Sequence, residues 1–172
     1  EMSTKVGVSI TKDYRDVATF IHKAINTKRT IHFLPPYRHD NMIRLSEWMN
    51  IKPSEVKNLA SIPLIKAIVR QRSIKEDVEI VELDKAANTT VEMHLAAMRT
   101  AKPGMKEYEV VSAVHKEALR TGGDISFPII LTVNGETLHN HYHGNTISEG
   151  QMILCDVGAE SQMHYAGDMT CT

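Results

Sequence analysis

Residues 156–172, DVGAESQMHYAGDMTCT, decide how the C-terminal part of this chain folds. An apolar run precedes this stretch, and a β-favouring run, Tyr165–Thr172, ends it after a polar turn, which is the pattern of a β-hairpin. A hairpin symmetric about Gln162 would place Asp156 directly opposite Asp168. Directly opposed residues have Cβ atoms about 4.5–5.5 Å apart, and like charges at that separation are destabilising.

These two carboxylates predict a cation site. A shared proton or a bound cation would offset the repulsion, and carboxylates at this separation suit metal ions about 3.5–4 Å apart, as in two-metal hydrolases. The alternative is a pair of aspartates at strand ends that face water. Spacing alone leaves both interpretations open.

Three segments resemble a known family, the pita-bread-fold metallopeptidases that include methionine aminopeptidase, aminopeptidase P and prolidase. The hairpin is similar to the first metal-ligand hairpin of that family through Asp156, Gly158, Glu160, Tyr165, Asp168, Thr170 and Thr172. Residues 83–123 resemble the two opening helices of the catalytic domain of aminopeptidase P, a Xaa-Pro aminopeptidase. NGETLH, residues 134–139, resembles the segment that carries the substrate-side histidine.

Three departures from the family pattern matter. The two aspartates of the family are usually one residue closer together, and Cys171 stands where an arginine is usual, a change associated with prolidase-like members. The family completes its metal site with a histidine and two glutamates far downstream, beyond Thr172. The chain is therefore interpreted as an internal fragment of a larger enzyme, expected to be inactive by itself.

The resemblance is specific from about Ser73 onward and weaker before it. It implies an α+β fold in which residues 1–72 are the end of an aminopeptidase P-type (creatinase-like) N-terminal αβ accessory domain. Residues 73–172 are then the first half of a pita-bread catalytic domain. Helices followed by an antiparallel hairpin sheet fit this layer architecture.

Capping residues and apolar spacing predict the elements of the first segment. They comprise helices starting after Asp13 and Asp40, a helix with Pro53 in its first turn, a helix over Leu64–Arg72, and a short strand over Thr30–Leu34.

The second segment reads as two helices and then strands. Ser73 and Glu76 have capping-box spacing, and the helix after them has an apolar stripe at Val78, Val81, Val91, Leu95 and Met98. Lys106–Thr121 predicts the next helix, with Val110, Val114 and Ala118 facing inward. Strands are predicted over residues 127–133, near 138–143, over 151–157 and over 165–172.

Three histidines alternate just before the hairpin: His139, His141 and His143. An extended chain would show all three on one face, where they could contact substrate. The resemblance favours His139 as the catalytic histidine that stabilises the tetrahedral intermediate, with His141 and His143 as rivals. The alternative for His143 is a solvated or backbone-bonded ring.

Composition limits the partners. Basic and acidic residues balance to a net charge of −1 with few aromatic residues, which argues against nucleic acid. No apolar run approaches the ~18–20 residues that span a membrane, and the N-terminus lacks the pattern of a signal peptide, so a cytoplasmic location is expected.

Strand alternation points Cys155 and Cys171 away from the aspartates. A disulfide across the hairpin stays open as an alternative, and two buried thiols are favoured.

The resemblance implies a metal-dependent aminopeptidase that removes the residue before a proline at position two of a peptide. Asp156 and Asp168 would hold two divalent ions, for which oxygen-rich ligation favours manganese, with cobalt, zinc or iron as alternatives. The other readings are prolidase, which cleaves dipeptides, and a catalytically silent pita-bread binding module. Homodimerisation is left open.

Overall fold

The computed structural model describes residues 2–172, except for the side chain of Met2. The chain forms two compact units, of which the first ends at Ile74 and the second spans Lys75–Thr172. The sequence places the boundary after residue 72. The assignment of the two units to an accessory domain and half of a catalytic domain stays a prediction.

The first unit is helical. Its α-helices are α1 (Met2–Val6), α2 (Val17–Asn26), α3 (His39–Met49), α4 (Pro53–Val56) and α5 (Ile62–Ser73), with short 3₁₀ turns at Tyr14–Asp16 and Lys57–Leu59. Asp13 accepts a hydrogen bond from the Arg15 backbone N–H, and Pro53 occupies the first turn of α4. The Pro53 signal is therefore confirmed, whereas Asp13 caps the 3₁₀ turn before α2, which itself begins after Asp16. Asp40 lies within the first turn of α3 and does not cap it.

The predicted strand over residues 30–34 is wrong. Within the described residues this segment has no strand assignment. The Phe33 carbonyl instead accepts from the backbone N–H of Ser61 at 3.0 Å, and His32 Nδ1 lies 2.7 Å from Ser61 Oγ. One backbone bond to a helix start replaces the ladder that a strand requires.

Helix α6 (Asp77–Thr100) starts on Glu76 rather than on Ser73. The Glu79 carboxylate accepts from the Glu76 backbone N–H at 2.8 Å, which is half of a capping box. The Ser73 hydroxyl is used elsewhere, since it donates to the Val69 carbonyl at the end of α5. The cap therefore lies three residues later than the sequence suggests.

The apolar stripe predicted for α6 is also wrong. Val78, Val81 and Met98 are more than half exposed. The buried face instead carries mainly small or polar residues: Ala86, Thr89, Thr90, Met93, His94 and Ala97. The sheet approaches α6 closely at the turn of Ala86 and Thr90, which leaves room only for small side chains there.

Two contacts with α6 show how close this approach is. The Thr90 hydroxyl donates to the Ala86 carbonyl at 2.9 Å and accepts from the backbone N–H of Ala159 at 3.0 Å. Gly167 lies against the same turn of α6, where an added Cβ would meet Thr90 Oγ1 and would lie 2.9 Å from the Ala86 carbonyl oxygen. Glycine is therefore required there for steric reasons.

Helix α7 (Glu107–Arg120) matches its prediction. Val110, Val114 and Ala118 are fully buried. They share one core with Met93 and Ala97 of α6 and with the inward side chains of the sheet, among them Leu131, Cys155 and Val157.

The strands form two small antiparallel sheets. Strand β1 (Asp124–Ile125) pairs with β4 (Ala159–Glu160), and β2 (Ile130–Thr132), β3 (Leu154–Val157) and β5 (Met169–Cys171) form a sheet in the order β2-β3-β5. The strand predicted near 138–143 is wrong, because this segment is a loop. Side chains replace a ladder there: the Tyr142 N–H bonds to Asn140 Oδ1, and the Asn140 amide to Thr132.

The hairpin register differs from the symmetric one. Asp156 pairs with Thr170, and Cys155 with Cys171. The turn has three residues: Ser161 N–H donates to the Tyr165 carbonyl at 2.8 Å, and His164 has a left-handed φ of 62°. Three-residue hairpin loops commonly end on such a residue. The centre of the hairpin is thus residue 163, not Gln162, and Asp156 does not lie opposite Asp168.

The two faces of the β2-β3-β5 sheet have different chemistry. Cys155 and Cys171 line an apolar cavity with His94, Ala97 and Met98 of α6, and both cysteines are free thiols. The aspartates point to the other face, as strand alternation predicts. Across the part of the chain that the structure describes, no helix is both long and apolar enough to cross a membrane.

Gly167→Ala should destabilise the second unit by about 1–3 kcal/mol, because the methyl group would collide with the backbone of α6. Denaturant unfolding followed by circular dichroism measures this loss. The matched control is Gly135→Ala, whose nearest contact would be the Leu154 Cβ at 3.2 Å, and which should cost less. Equal stability of the wild type and Gly167→Ala would contradict the close packing.

Cys155 should resist alkylation in the folded protein. It is 6% exposed, and burial, followed by the nearby Cys171 and Asp156, raises the pKa of its thiol to about 12. At pH 8 only about 10⁻⁴ of it would be the reactive thiolate. Peptide mass spectrometry after iodoacetamide treatment should show Cys171 labelled at least ~100-fold faster, with the difference lost in urea. Equal native rates would show that Cys155 is not enclosed.

Candidate functional site

One open cleft collects most of the residues that the sequence singles out. Its volume is about 520 Å³, and it lies on the face of the β2-β3-β5 sheet opposite the thiols. The residues that line it are Phe127, Pro128, Ile130, His139, His141, Asp156 and Asp168. Both predicted metal ligands and two of the three predicted histidines therefore share one cleft.

The two aspartates are diagonal neighbours. Asp156 is half-buried in the central strand β3, between Ile130 on β2 and Thr170 on β5. Asp168 is exposed, immediately before β5, and the register continues to set it opposite Gly158. Diagonal neighbours lie about 7–8 Å apart at Cα on one face, within reach of each other's side chains. The carboxylates can therefore face a common ligand although they are not directly opposed.

Hydrogen bonds hold the backbone just before Asp168 in place. Gly167 donates to the Ala159 carbonyl at 2.8 Å, and its own carbonyl accepts from the Ser126 hydroxyl at 2.8 Å. Gly158 packs so tightly here that a Cβ would meet the Gly167 carbonyl and Ser126 Oγ. Asp168 therefore starts from a rigid backbone position.

Tyr165 provides a second anchor for the hairpin. Its hydroxyl donates to Glu79 Oε1 at 2.7 Å, which ties the turn to the first turn of α6. The sequence analysis includes Tyr165 in the resemblance without assigning it a contact, and it does not identify Ser126. A tyrosine three residues before a predicted ligand aspartate is a signal that could have drawn attention to this anchor.

The three histidines occupy different environments. His139 and His141 are exposed and line the cleft, and His139 has a left-handed φ of 52°. His143 is half-buried, and its Nδ1 donates to the Leu131 carbonyl at 3.1 Å. Because the segment is a loop, alternation does not bring the three rings to one face. The predicted roles of all three stay predictions.

An apolar wall completes the cleft. Phe127 and Pro128 precede β2, and Ile130 on β2 is the direct neighbour of Asp156. Sequence reasoning missed this wall, although a strand that pairs with the aspartate strand is where such residues would be found.

The donor set fits part of a site for a hard divalent cation. Two carboxylates and two imidazoles face the cleft, and oxygen-rich sets of this kind suit manganese and similar ions. Across residues 2–172, however, the structure shows no group of three or more His, Cys, Asp or Glu side chains arranged to hold a metal ion. Of these groups, only the two aspartates are predicted metal ligands, and a complete site needs more than two.

Comparison with known proteins identifies relatives with this architecture. The chain is 26% identical to Xaa-Pro aminopeptidase of Escherichia coli over 98% of its length, which is 40% of that protein. It is 30% identical to a probable Xaa-Pro aminopeptidase of Leptosphaeria maculans and 31% identical to human Xaa-Pro dipeptidase. These matches cover 100% and 77% of this chain, but only 30% and 28% of the two relatives. The chain thus spans well under half the length of the relatives it matches.

Solved structures show the same fold. A variant of E. coli aminopeptidase P in complex with substrate superposes with a TM-score of 0.79 at 25% identity, covering 98% of this chain and 40% of that one. Aminopeptidase PepP of Pseudomonas aeruginosa gives a TM-score of 0.76 at 24% identity, with the same coverages of 98% and 40%. The predicted α+β fold class is confirmed. The sequence model of metallopeptidase family M24 matches residues 81–172, more than half of the chain, which therefore belongs to metallopeptidase family M24.

Proposed function

We propose that the protein containing this chain is a metal-dependent aminopeptidase that cleaves the bond before a proline in the second position of a peptide. The observation that carries the proposal is the cleft in which Asp156 and Asp168 face the same space as His139 and His141. The Xaa-Pro aminopeptidases among the relatives support the substrate class.

The carboxylates would hold the metal. Asp156 and Asp168 would both hold divalent cations, together with further ligands. When bound, two such ions, with manganese preferred, supply Lewis acidity that activates water and polarises the scissile carbonyl. The hydrogen bonds of Gly167 hold the backbone just before Asp168 in place.

His139 would act on the substrate rather than on the metal. A ring N–H aimed at the scissile carbonyl would donate to the oxygen as it gains charge in the tetrahedral intermediate. His141 lines the same cleft and is the alternative for this role. The apolar wall formed by Phe127, Pro128 and Ile130 offers contact area for a proline ring. A proline bond lacks the N–H that ordinary peptidases bind.

Prolidase activity is the second candidate, because the chain is 31% identical to human Xaa-Pro dipeptidase. Cleavage of an Xaa-Pro dipeptide with no cleavage of longer peptides would favour it over aminopeptidase activity. Parallel assays on a dipeptide and on a tripeptide with the same first two residues would separate the two functions.

Asp168→Asn should lower turnover of an Xaa-Pro peptide by at least ~10³-fold, since one oxygen ligand and its charge are lost from the metal site. The measurement uses the whole protein, freed of metal with a chelator and then reloaded with manganese.

The matched control for this variant is Asp84→Asn, which removes the same charge from the exposed surface of α6 and should leave turnover within ~2-fold of wild type. Near-normal turnover of Asp168→Asn after manganese return would contradict the assignment of this residue as a ligand.

His139→Ala should lower kcat by roughly 10²–10³-fold, the usual worth of one positioned donor, with the bound manganese unchanged. His141→Ala should cost less, and His115→Ala on α7 serves as the control with no expected effect. Metal analysis alongside steady-state kinetics separates the roles. A larger kinetic loss in His141→Ala would move the role to that residue, and loss of metal in His139→Ala would make it a ligand.

A further inference from the structure

Glu107 is a fully buried acidic residue outside the cleft. It occupies the first position of α7 and has a relative exposure of 0%. Glutamate is rarely buried completely without partners, because desolvation of a carboxylate is costly. Its burial therefore requires an explanation.

The partners of Glu107 are all N–H donors. Oε1 accepts from the backbone N–H of Val133 at 2.8 Å and from the Asn145 side-chain amide at 3.1 Å. Oε2 accepts from the same amide at 3.0 Å and from the backbone N–H of Asn145 at 3.3 Å. Hydrogen bonds to a carboxylate are roughly twice as strong as neutral ones, so this cluster is a strong local restraint.

These bonds join the two ends of one loop. Val133 directly follows β2, and Asn145 ends the segment that carries His139 and His141. The start of α7 holds the same end of the loop through its backbone: the N–H of Tyr108 donates to the His143 carbonyl at 2.9 Å, and that of Glu107 to the Asn145 carbonyl at 3.1 Å. From α7, the Glu107 side chain reaches across to the Val133 end, where β2 also holds the loop through the bond of His143 Nδ1 to the Leu131 carbonyl.

We propose that Glu107 is a positioning residue, which sets His139 and His141 against the Asp156 and Asp168 carboxylates by clamping both ends of the loop between residues 133 and 145. The kinetic consequences of this inference rest on the proposed function. Glu107 lies on the helix side of β2 and touches neither substrate nor metal in this account. It acts through the histidines.

A charge-preserving swap tests the clamp. Glu107→Gln turns one acceptor oxygen into an amide that faces other donors, and Asn145→Asp sets two carboxylates against each other. Each single change in the whole, metal-loaded protein should lower kcat by about 10–100-fold, the usual range for residues that orient a site, with a smaller change in KM. The double variant restores a donor–acceptor pair. Its kcat should therefore be at least ~10-fold higher than the two single losses would give if they simply multiplied.

The control is Glu109→Gln, in the same turn of α7. Glu109 is exposed, and its carboxylate accepts from the Lys106 backbone N–H at 2.7 Å. This variant should leave kcat within ~2-fold of wild type. Equal losses in Glu107→Gln and Glu109→Gln would overturn the proposal, since they would reflect the helix start rather than the clamp.

The effect of Glu107→Gln in a protein without the two histidines distinguishes a positioning role from a general effect on stability. In a protein that lacks both imidazoles, His139→Ala with His141→Ala, Glu107→Gln should cost less than ~3-fold in kcat, because the groups it positions are gone. An undiminished loss in that background would overturn the proposal.

Hydrogen exchange tests the clamp without any assay of activity. In Glu107→Gln the amides of Val133 and Asn145 should exchange at least ~10-fold faster, while those of the α7 core stay protected. Unchanged protection would overturn the proposal. If the wild-type protein cleaves no Xaa-Pro peptide, the proposed function fails, and faster exchange in the variant still supports the clamp.

Discussion

The close contact between the hairpin and α6 is the constraint on which the rest of the second unit depends. Thr90 satisfies the buried N–H of Ala159 with its hydroxyl, and Gly167 packs where any side chain would collide with the Ala86 turn. An unpaired backbone N–H at that depth would be costly. At this turn the helix therefore presents small side chains, and the sheet is held against it at a fixed distance.

The sheet separates two kinds of chemistry onto two faces. The inward face carries Cys155 and apolar side chains against the helices, and the outward face carries Asp156 and Asp168. A carboxylate pair is tolerable only on the outward face, where solvent or a cation can offset the repulsion. The same geometry leaves the histidine loop on the outward side, so a metal site and a substrate-side histidine can share one cleft.

Much of the fold follows from local sequence. Helix α7 has apolar residues at helical spacing with one side facing the core, and Val110, Val114 and Ala118 are buried as the pattern predicts. The hairpin follows from two β-favouring runs around a polar turn. These elements are determined by neighbours in the sequence, which is why periodicity identifies them.

The parts that sequence reasoning missed depend on contacts between distant residues. The buried face of α6 was mispredicted because hydrophobicity favours Val78 and Val81, whereas close backbone approach favours Ala86 and Thr90. The register shifted because the turn uses three residues and ends on a left-handed His164.

The candidate site also has a part that the sequence predicts and a part that depends on contacts between distant residues. Motif spacing identified Asp156, Asp168 and the histidines, and the structure brings four of these side chains to one cleft. Glu107 was missed because a buried carboxylate is recognised only when its partners, Val133 and Asn145, are known. The alternation of the three histidines has the period of a strand, but the segment is a loop without ladder hydrogen bonds, which the sequence alone does not show.

The most direct test of the central claim is anomalous diffraction from crystals of the whole protein grown with manganese. We expect a manganese peak within ligand distance, about 2.0–2.4 Å, of carboxylate oxygens from both Asp156 and Asp168. A well-occupied manganese site elsewhere, with both carboxylates bonded only to water or protein, would contradict it.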